Sequence, residues 1–193
     1  MGLKRAFAFG LLMVNLTLWC MAGAGFAAEQ NLPFPSYGSG PVEVRLYTDY
    51  FCPPCRAMEP AVEPLLKDLL KKNTIRLILV DVPFSRLTPL YAGYFLYALK
   101  ENNALEHALR VRNLLMEAST NKDVTTQERI EALFREKGVP FSVFDAKPAY
   151  DRYNSLLTED KINATPTCVV IKNGEKKAFV GGSDIVNALK ALP

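Results

Sequence analysis

Val42-Glu43-Val44-Arg45-Leu46-Tyr47 alternates apolar and polar positions with a period of two, the pattern of a strand with one buried face. The strand delivers the chain to Thr48-Asp49-Tyr50-Phe51-Cys52-Pro53-Pro54-Cys55-Arg56, after which Met58, Val62, Leu65, Leu66, Leu69 and Leu70 recur at helical spacing. Pro60 and Pro64 fall inside that pattern and predict a bent or interrupted helix. Lys71-Lys72-Asn73 suits its C-terminus, because basic side chains complement the negative end of the helix dipole. Ile75-Arg76-Leu77-Ile78-Leu79-Val80 is almost continuously apolar, as expected of a central strand parallel to the first after a helical crossover. Together these form a βαβ unit.

From Thr88 to about Leu157 the period becomes helical. Thr88-Pro89 reads as a cap and first turn, followed by Tyr91, Tyr94, Phe95 and Ala98, with Asn102-Asn103 as the break. A second helix is expected over Ala104 to Ala118. Thr125-Thr126-Gln127-Glu128 is a capping-box pattern for a third, which stops at Gly138-Val139-Pro140. A fourth carries Tyr150, Tyr153, Leu156 and Leu157. The aromatic stripes read as core, and His107, the single histidine, as a surface or boundary residue. Thr167 to Lys172, Asn173-Gly174 and Glu175 to Val180 then make a hairpin with a tight Asn-Gly turn. Gly181-Gly182-Ser183-Asp184 supplies a turn and cap before Ile185, Val186, Leu189 and Leu192. The order is βαβ, helices, ββα.

The chain start changes the picture of where this protein works. Met1 to Arg5 is a basic beginning, Ala6 to Met21 an apolar run and Ala22 to Ala28 a small-residue stretch, the three parts of a secretory signal peptide. We expect residues 1–28 to be a signal peptide, residues 29–41 a Pro-, Gly- and Ser-rich leader, and residues 42–192 one domain. The expected location is the periplasm or another extracytoplasmic space, the alternative being an uncleaved membrane anchor. Cys20 falls in the removed segment, and bulky Trp19 before it argues against a lipoprotein acceptor. Cleavage would remove Lys4 and Arg5 from the 23 basic residues, which then nearly balance the 20 acidic ones. Such a charge gives no electrostatic case for nucleic acid.

Export bears on the cysteines, because disulfides persist and exchange outside the reducing cytosol. The mature chain keeps Cys52, Cys55 and Cys168, and the adjacent pair is the obvious couple. A thiol at the first turn of a helix sits at the positive end of the backbone dipole, where its thiolate is stabilised. A second thiol three residues on shares its face. Attack by the first on a disulfide gives a mixed disulfide that the second can displace, so the pair completes a cycle with no metal or organic cofactor. The competing uses are half a zinc site or a structural staple. Zinc needs about two further ligands at recognisable spacing, which the chain does not offer, and a loop this short gains little from closure.

The βαβ…ββα order, with Cys-x-x-Cys at the first strand-to-helix junction and Ala164-Thr165-Pro166-Thr167 before the hairpin, resembles the thioredoxin fold. More narrowly it is similar to the DsbA-like branch of exported thiol:disulfide oxidoreductases, which carry a helical insertion, here residues 86–158. Thr48 to Pro53 is like that branch's approach to its active site, while Pro60 five residues after Cys55 also matches thioredoxin. The resemblance spans about Pro41 to Leu192. It implies that Cys52 attacks and Cys55 resolves, that Thr165-Pro166 is a cis peptide beside them, and that the Thr165 backbone binds extended substrate.

The chain also departs from that pattern. Leu46 occupies the position, six before the first cysteine, where many relatives have a buried acid that assists proton transfer. The proton acceptor is thereby open, with Glu59 one turn beyond Cys55 a geometric candidate. Pro54 replaces the histidine of strongly oxidising relatives, and neither Pro53 nor Pro54 has an N–H to offer a thiolate, leaving that of Cys55. We therefore expect a less acidic Cys52 and a more reducing disulfide than in DsbA. Cys168 reads as a buried small hydrophobe. The expected function is an exported oxidoreductase exchanging disulfides with cysteine-containing polypeptides and served by a membrane redox partner, without cofactor or metal. The alternative is a non-enzymatic protein on the same fold that holds unfolded chains or Cu(I).

Overall fold

The computed structural model describes residues 33–193, so the signal-peptide reading of residues 1–28 and the start of the leader lie outside the described residues. Strand β1 (Ser36–Tyr37) precedes β2 (Val42–Thr48), helix α1 (Pro53–Lys71) and β3 (Ile75–Asp81). β2 and β3 are parallel in register from Val42 opposite Ile75 to Thr48 opposite Asp81. β4 (Thr167–Lys172) runs antiparallel to β2, and β5 (Glu175–Val180) antiparallel to β4. Asn173 and Gly174 turn that hairpin with φ of 52° and 80°, the left-handed values a two-residue turn demands. The sheet order is β1-β3-β2-β4-β5. β1, inside the stretch read as a leader, pairs antiparallel with the outer edge of β3.

Alternation along the strands divides the apolar residues between two clusters. Val42, Val44 and Leu46 join Val62 and Leu66 of α1 and Ile185 of α6 (Gly182–Lys190) in one. Tyr47, Ile78, Val80 and Val169 join Tyr153 and Leu156 of α5 (Lys147–Glu159) in the other. Each fully buried Leu or Val contributes about 1.5–3 kcal/mol. α1 is continuous through Pro60 and Pro64 rather than interrupted. Both prolines are exposed, so the carbonyls of Arg56 and Pro60, which lose their helical donors, lie on the solvent side where water can replace them.

The helices between the two halves are α2 (Thr88–Glu101), α3 (Leu105–Ala118), α4 (Gln127–Glu136) and α5. Thr126 caps α4 by accepting from Arg129 N, so the cap is the second threonine of the pair. Thr88 is not a cap: Leu87 holds that position without a side-chain bond, and the Thr88 side chain is buried. His107 lies on the buried side of α3 at 9 % exposure, at the core boundary and not on the open surface. The aromatic stripes pack as core, with Tyr94 edge-on to Phe134 at 5.8 Å and Tyr91 fully buried.

At the far end of the sheet Asp160, just past α5, accepts from Tyr47 Oη at 2.5 Å, Arg45 Nη1 at 3.0 Å and Lys176 Nζ at 2.5 Å. Burial opposes its ionisation, but the bonds from Lys176, Tyr47 and Arg45 outweigh burial and hold the carboxyl below its ordinary value. That stabilisation is present above about pH 4 and is lost as pH falls through the lower folded value. Asp160→Asn should therefore cost about 1–2 kcal/mol at neutral pH, after screening at the exposed ends. Urea unfolding at pH 7 and pH 3 should show that deficit shrinking in acid.

Candidate active site

The parallel β2–β3 pair ends beside the start of α1, and the connecting turn holds the cysteines. Cys52 is the N-cap of α1, and Pro53 and Pro54 form its first turn with the φ they already prefer. Cys52 and Cys55 are disulfide-bonded across a Cα–Cα distance of 5.3 Å. Cys52 is half-buried, whereas Cys55 is fully buried. Cys55 N donates to Cys52 Sγ at 3.2 Å, the one donor the two prolines leave at this turn. The accessible sulfur is thus the one at the positive end of the helix, as an attacking thiol requires.

The Thr165–Pro166 peptide is cis, as the resemblance implied. Cys52 Sγ lies 3.5 Å from the Thr165 carbonyl oxygen, so the segment before the hairpin abuts the exposed sulfur. Pro166 is buried and its carbonyl accepts from Gly181 N at 2.9 Å. Thr165 is half-buried and lies two residues before β4. The fold thus brings all four residues expected from the sequence, Cys52, Cys55, Thr165 and Pro166, to one place.

The loop before α2, together with α2 and the end of α3, holds the redox turn from behind. Asp49 accepts from Phe51 N at 2.7 Å and Ser85 N at 2.8 Å, tying the turn to the loop that leads into α2. The Tyr50 carbonyl accepts from Arg56 Nη1 at 2.9 Å and from Ser119 Oγ, at the end of α3, at 2.6 Å. Tyr91 of α2 packs edge-on against Phe51 at 4.9 Å.

A buried ionic group lies deeper, and sequence reasoning missed most of it. Arg112 of α3, 0 % exposed, donates to Glu59 Oε1 at 2.9 Å and Thr48 Oγ1 at 2.5 Å, and its Nη1 stands 3.6 Å from Asp81 Oδ1. Tyr50 Oη donates to Asp81 Oδ2 at 3.0 Å. Burial pushes the Asp81 carboxyl up to about 6, with Arg112 and Tyr50 pulling the other way. A signal existed in the chain: Arg112 interrupts the apolar stripe Ala108, Leu115 and Met116, and Asp81 closes an apolar run. Glu59, the geometric candidate for the proton acceptor, is instead engaged by Arg112.

Leu46 is buried opposite Cys168, whose thiol is fully buried and pushed by desolvation up to about 12. A thiol so protonated is a poor nucleophile. Among the described residues no group of three His, Cys, Asp or Glu side chains is placed to hold a metal ion, and no helix is long and apolar enough to cross a membrane.

The family model described as Thioredoxin matches residues 38–179, and the chain belongs to that family. Within the thioredoxin superfamily it is DsbA-like. It is similar to the thiol:disulfide interchange protein DsbA of Pseudomonas aeruginosa, at 27% identity over 169 residues, covering 80% of this chain and 74% of that one. Solved structures share the fold. A putative protein-disulfide isomerase from Pseudomonas syringae superposes with a TM-score of 0.66 at 14% identity, covering 81% of this chain and 96% of that one. The catalytic domain of Proteus mirabilis ScsC does so with a TM-score of 0.61 at 19% identity, covering 84% and 92%. The family and the bonded Cys52–Cys55 pair support a redox function of the thiol:disulfide oxidoreductase type.

Proposed function

We propose that this protein is an exported thiol:disulfide oxidoreductase that exchanges disulfides with cysteine-containing polypeptides, Cys52 attacking and Cys55 resolving. The observation that carries the reading is the asymmetry of the pair. Cys52 is accessible, caps α1 and lies beside Thr165, while Cys55 is buried behind it. In the reducing direction the Cys52 thiolate attacks a substrate disulfide, one substrate sulfur leaves as thiolate, and Cys55 sulfur then attacks Cys52 to release the other. In the oxidising direction the same steps run backwards. Docking is assigned to the Thr165 backbone beside Pro166, because main-chain pairing accepts many sequences. No backbone hydrogen bond among the described residues engages Thr165.

Residues 1–28 are assigned as a removed signal, 29–41 as the leader and 42–192 as the catalytic domain, with 86–158 as its helical insertion. An extracytoplasmic protein of this kind requires a partner that resets the pair, and a membrane redox protein is the class we assign. The single N–H reaching Cys52 Sγ supports a more reducing pair than in DsbA. Equilibration with glutathione or dithiothreitol tests this: the expected potential lies nearer thioredoxin, about −270 mV, than DsbA, about −120 mV. A value at the DsbA end would overturn the inference from the missing proline donors.

A further inference from the structure

A cavity of about 150 Å³ opens behind the redox turn, lined by Asp81, Thr88, Tyr150, Tyr153 and Asn154 among others. Three of its lining residues, Asp81, Thr88 and Tyr153, each carry a buried side-chain oxygen, Oδ1, Oγ1 and Oη, with no hydrogen-bond partner in the protein, and these residues are 4 %, 1 % and 2 % exposed. Buried polar groups are ordinarily satisfied, so three residues with an unpartnered oxygen around one cavity mark a polar pocket beneath the redox turn. Arg112 Nη1, also unpartnered, reaches toward the same carboxylate oxygen. The other oxygen of Asp81 is held by Tyr50, two residues before Cys52. Asp81 therefore touches the redox turn on one side and the cavity on the other.

We propose that Asp81 is a positioning residue for redox chemistry that takes up a proton when the Cys52–Cys55 disulfide is reduced, exchanging it with solvent through the Thr88–Tyr153 cavity. This rests on the redox reading above. Two substrate thiols become one substrate disulfide, giving up two electrons and two protons. The electrons break the Cys52–Cys55 bond, one proton goes to Cys55 as thiol, Cys52 is left as thiolate, and the second proton neutralises the Asp81 carboxylate. Net charge is conserved. The coupling is electrostatic: negative charge left on the redox turn, to which Tyr50 ties Asp81, disfavours a second negative charge on that carboxyl.

The groups facing Asp81 are consistent with this. From the redox turn come Asp49 and Tyr50, from α1 Glu59, from α3 Arg112, and from α5 Tyr150 and Tyr153. Arg112 is the only cation in that set, and it is shared with Glu59. Burial raises the Asp81 carboxyl to about 6, and one arginine shared with Glu59 does not cancel that rise. Leu46 supplies no acid on β2, and Asp81 ends the neighbouring strand, opposite Thr48. The insertion, through Arg112 and the cavity walls, thereby becomes part of the redox machinery.

Redox-difference infrared spectroscopy of the full mature chain between pH 5.5 and 7.5 tests the assignment, with a thiol count on the same sample. The expected result is a protonated-carboxyl C=O band that appears on reduction, shifts in D2O, and is lost in Asp81→Asn. Tyr153→Phe removes a cavity hydroxyl and should move the band without abolishing it, which keeps the test open should Asp81→Asn not fold. A pair that reduces with no such band, a band that persists in Asp81→Asn, or one that Tyr153→Phe leaves unmoved would overturn the assignment. A pair that does not reduce at all would instead overturn the redox reading on which it rests.

Discussion

Replacing Cys55 by serine should turn the protein into a trap. Cys52 keeps its place at the head of α1, beside Thr165, so it can still attack a substrate disulfide. With no buried sulfur behind it, the mixed disulfide has no internal exit and accumulates. Cys52→Ser should do the opposite, lowering turnover on the order of 10³-fold or more, as loss of a nucleophile does, and leaving no covalent complex. Incubation with a disulfide-containing polypeptide, acid quenching and non-reducing electrophoresis should show a stoichiometric adduct for the first variant only. Equal adducts from both would reverse or dissolve the assigned roles.

The second large effect concerns Arg112. Its guanidinium joins α3 to α1 through Glu59, to β2 through Thr48 and to β3 through Asp81. Arg112→Met would leave two carboxyl groups buried without their cation, a loss of about 3–5 kcal/mol. For a chain of this size that corresponds to a fall in Tm of roughly 6–20 °C. The sign with pH follows from the carboxyl groups: without Arg112 the buried Asp81 carboxyl protonates still more readily, so the deficit grows as pH rises and shrinks in acid. Adding Glu59→Gln and Asp81→Asn to Arg112→Met should recover much of the loss, because a buried ion group exchanged whole for neutral side chains is often tolerated. Thermal unfolding at pH 5 and pH 8 would decide. A deficit under about 1 kcal/mol at pH 8 would mean that this cluster is not the keystone its burial makes it.

What the chain revealed by inspection and what it concealed divide along the range of the interactions. The hairpin was legible because Asn173-Gly174 is a local requirement for left-handed φ, and β2 because its alternation has the period of a strand, although the structure buries both of its faces and not one. Cys52 to Cys55 were legible because the chemistry of the pair is contained in four consecutive residues. β1 was not, since two residues carry no period and Ser36–Tyr37 are placed by distant partners, the β3 edge and the core that takes Tyr37. The Arg112 cluster was not, since two of its partners lie 53 and 64 positions away along the chain, and the place of Arg112 in an apolar stripe hints at burial without naming what it pairs with. Thr88 shows the same limit in reverse. Its place before a proline reads as a cap, yet tertiary packing turns it into a buried wall of the cavity behind the site.

The measurement that bears most directly on the central proposal is whether the mature protein accelerates thiol–disulfide exchange in an unfolded, cysteine-containing polypeptide, beside Cys52→Ser and Cys168→Ala. The expected result is catalysed exchange that Cys168→Ala retains and Cys52→Ser loses, because Cys168 is buried and protonated while Cys52 is the accessible sulfur. Binding of the polypeptide with equal strength by wild type and Cys52→Ser, and no exchange by either, would contradict it and identify a holding protein on a thioredoxin fold.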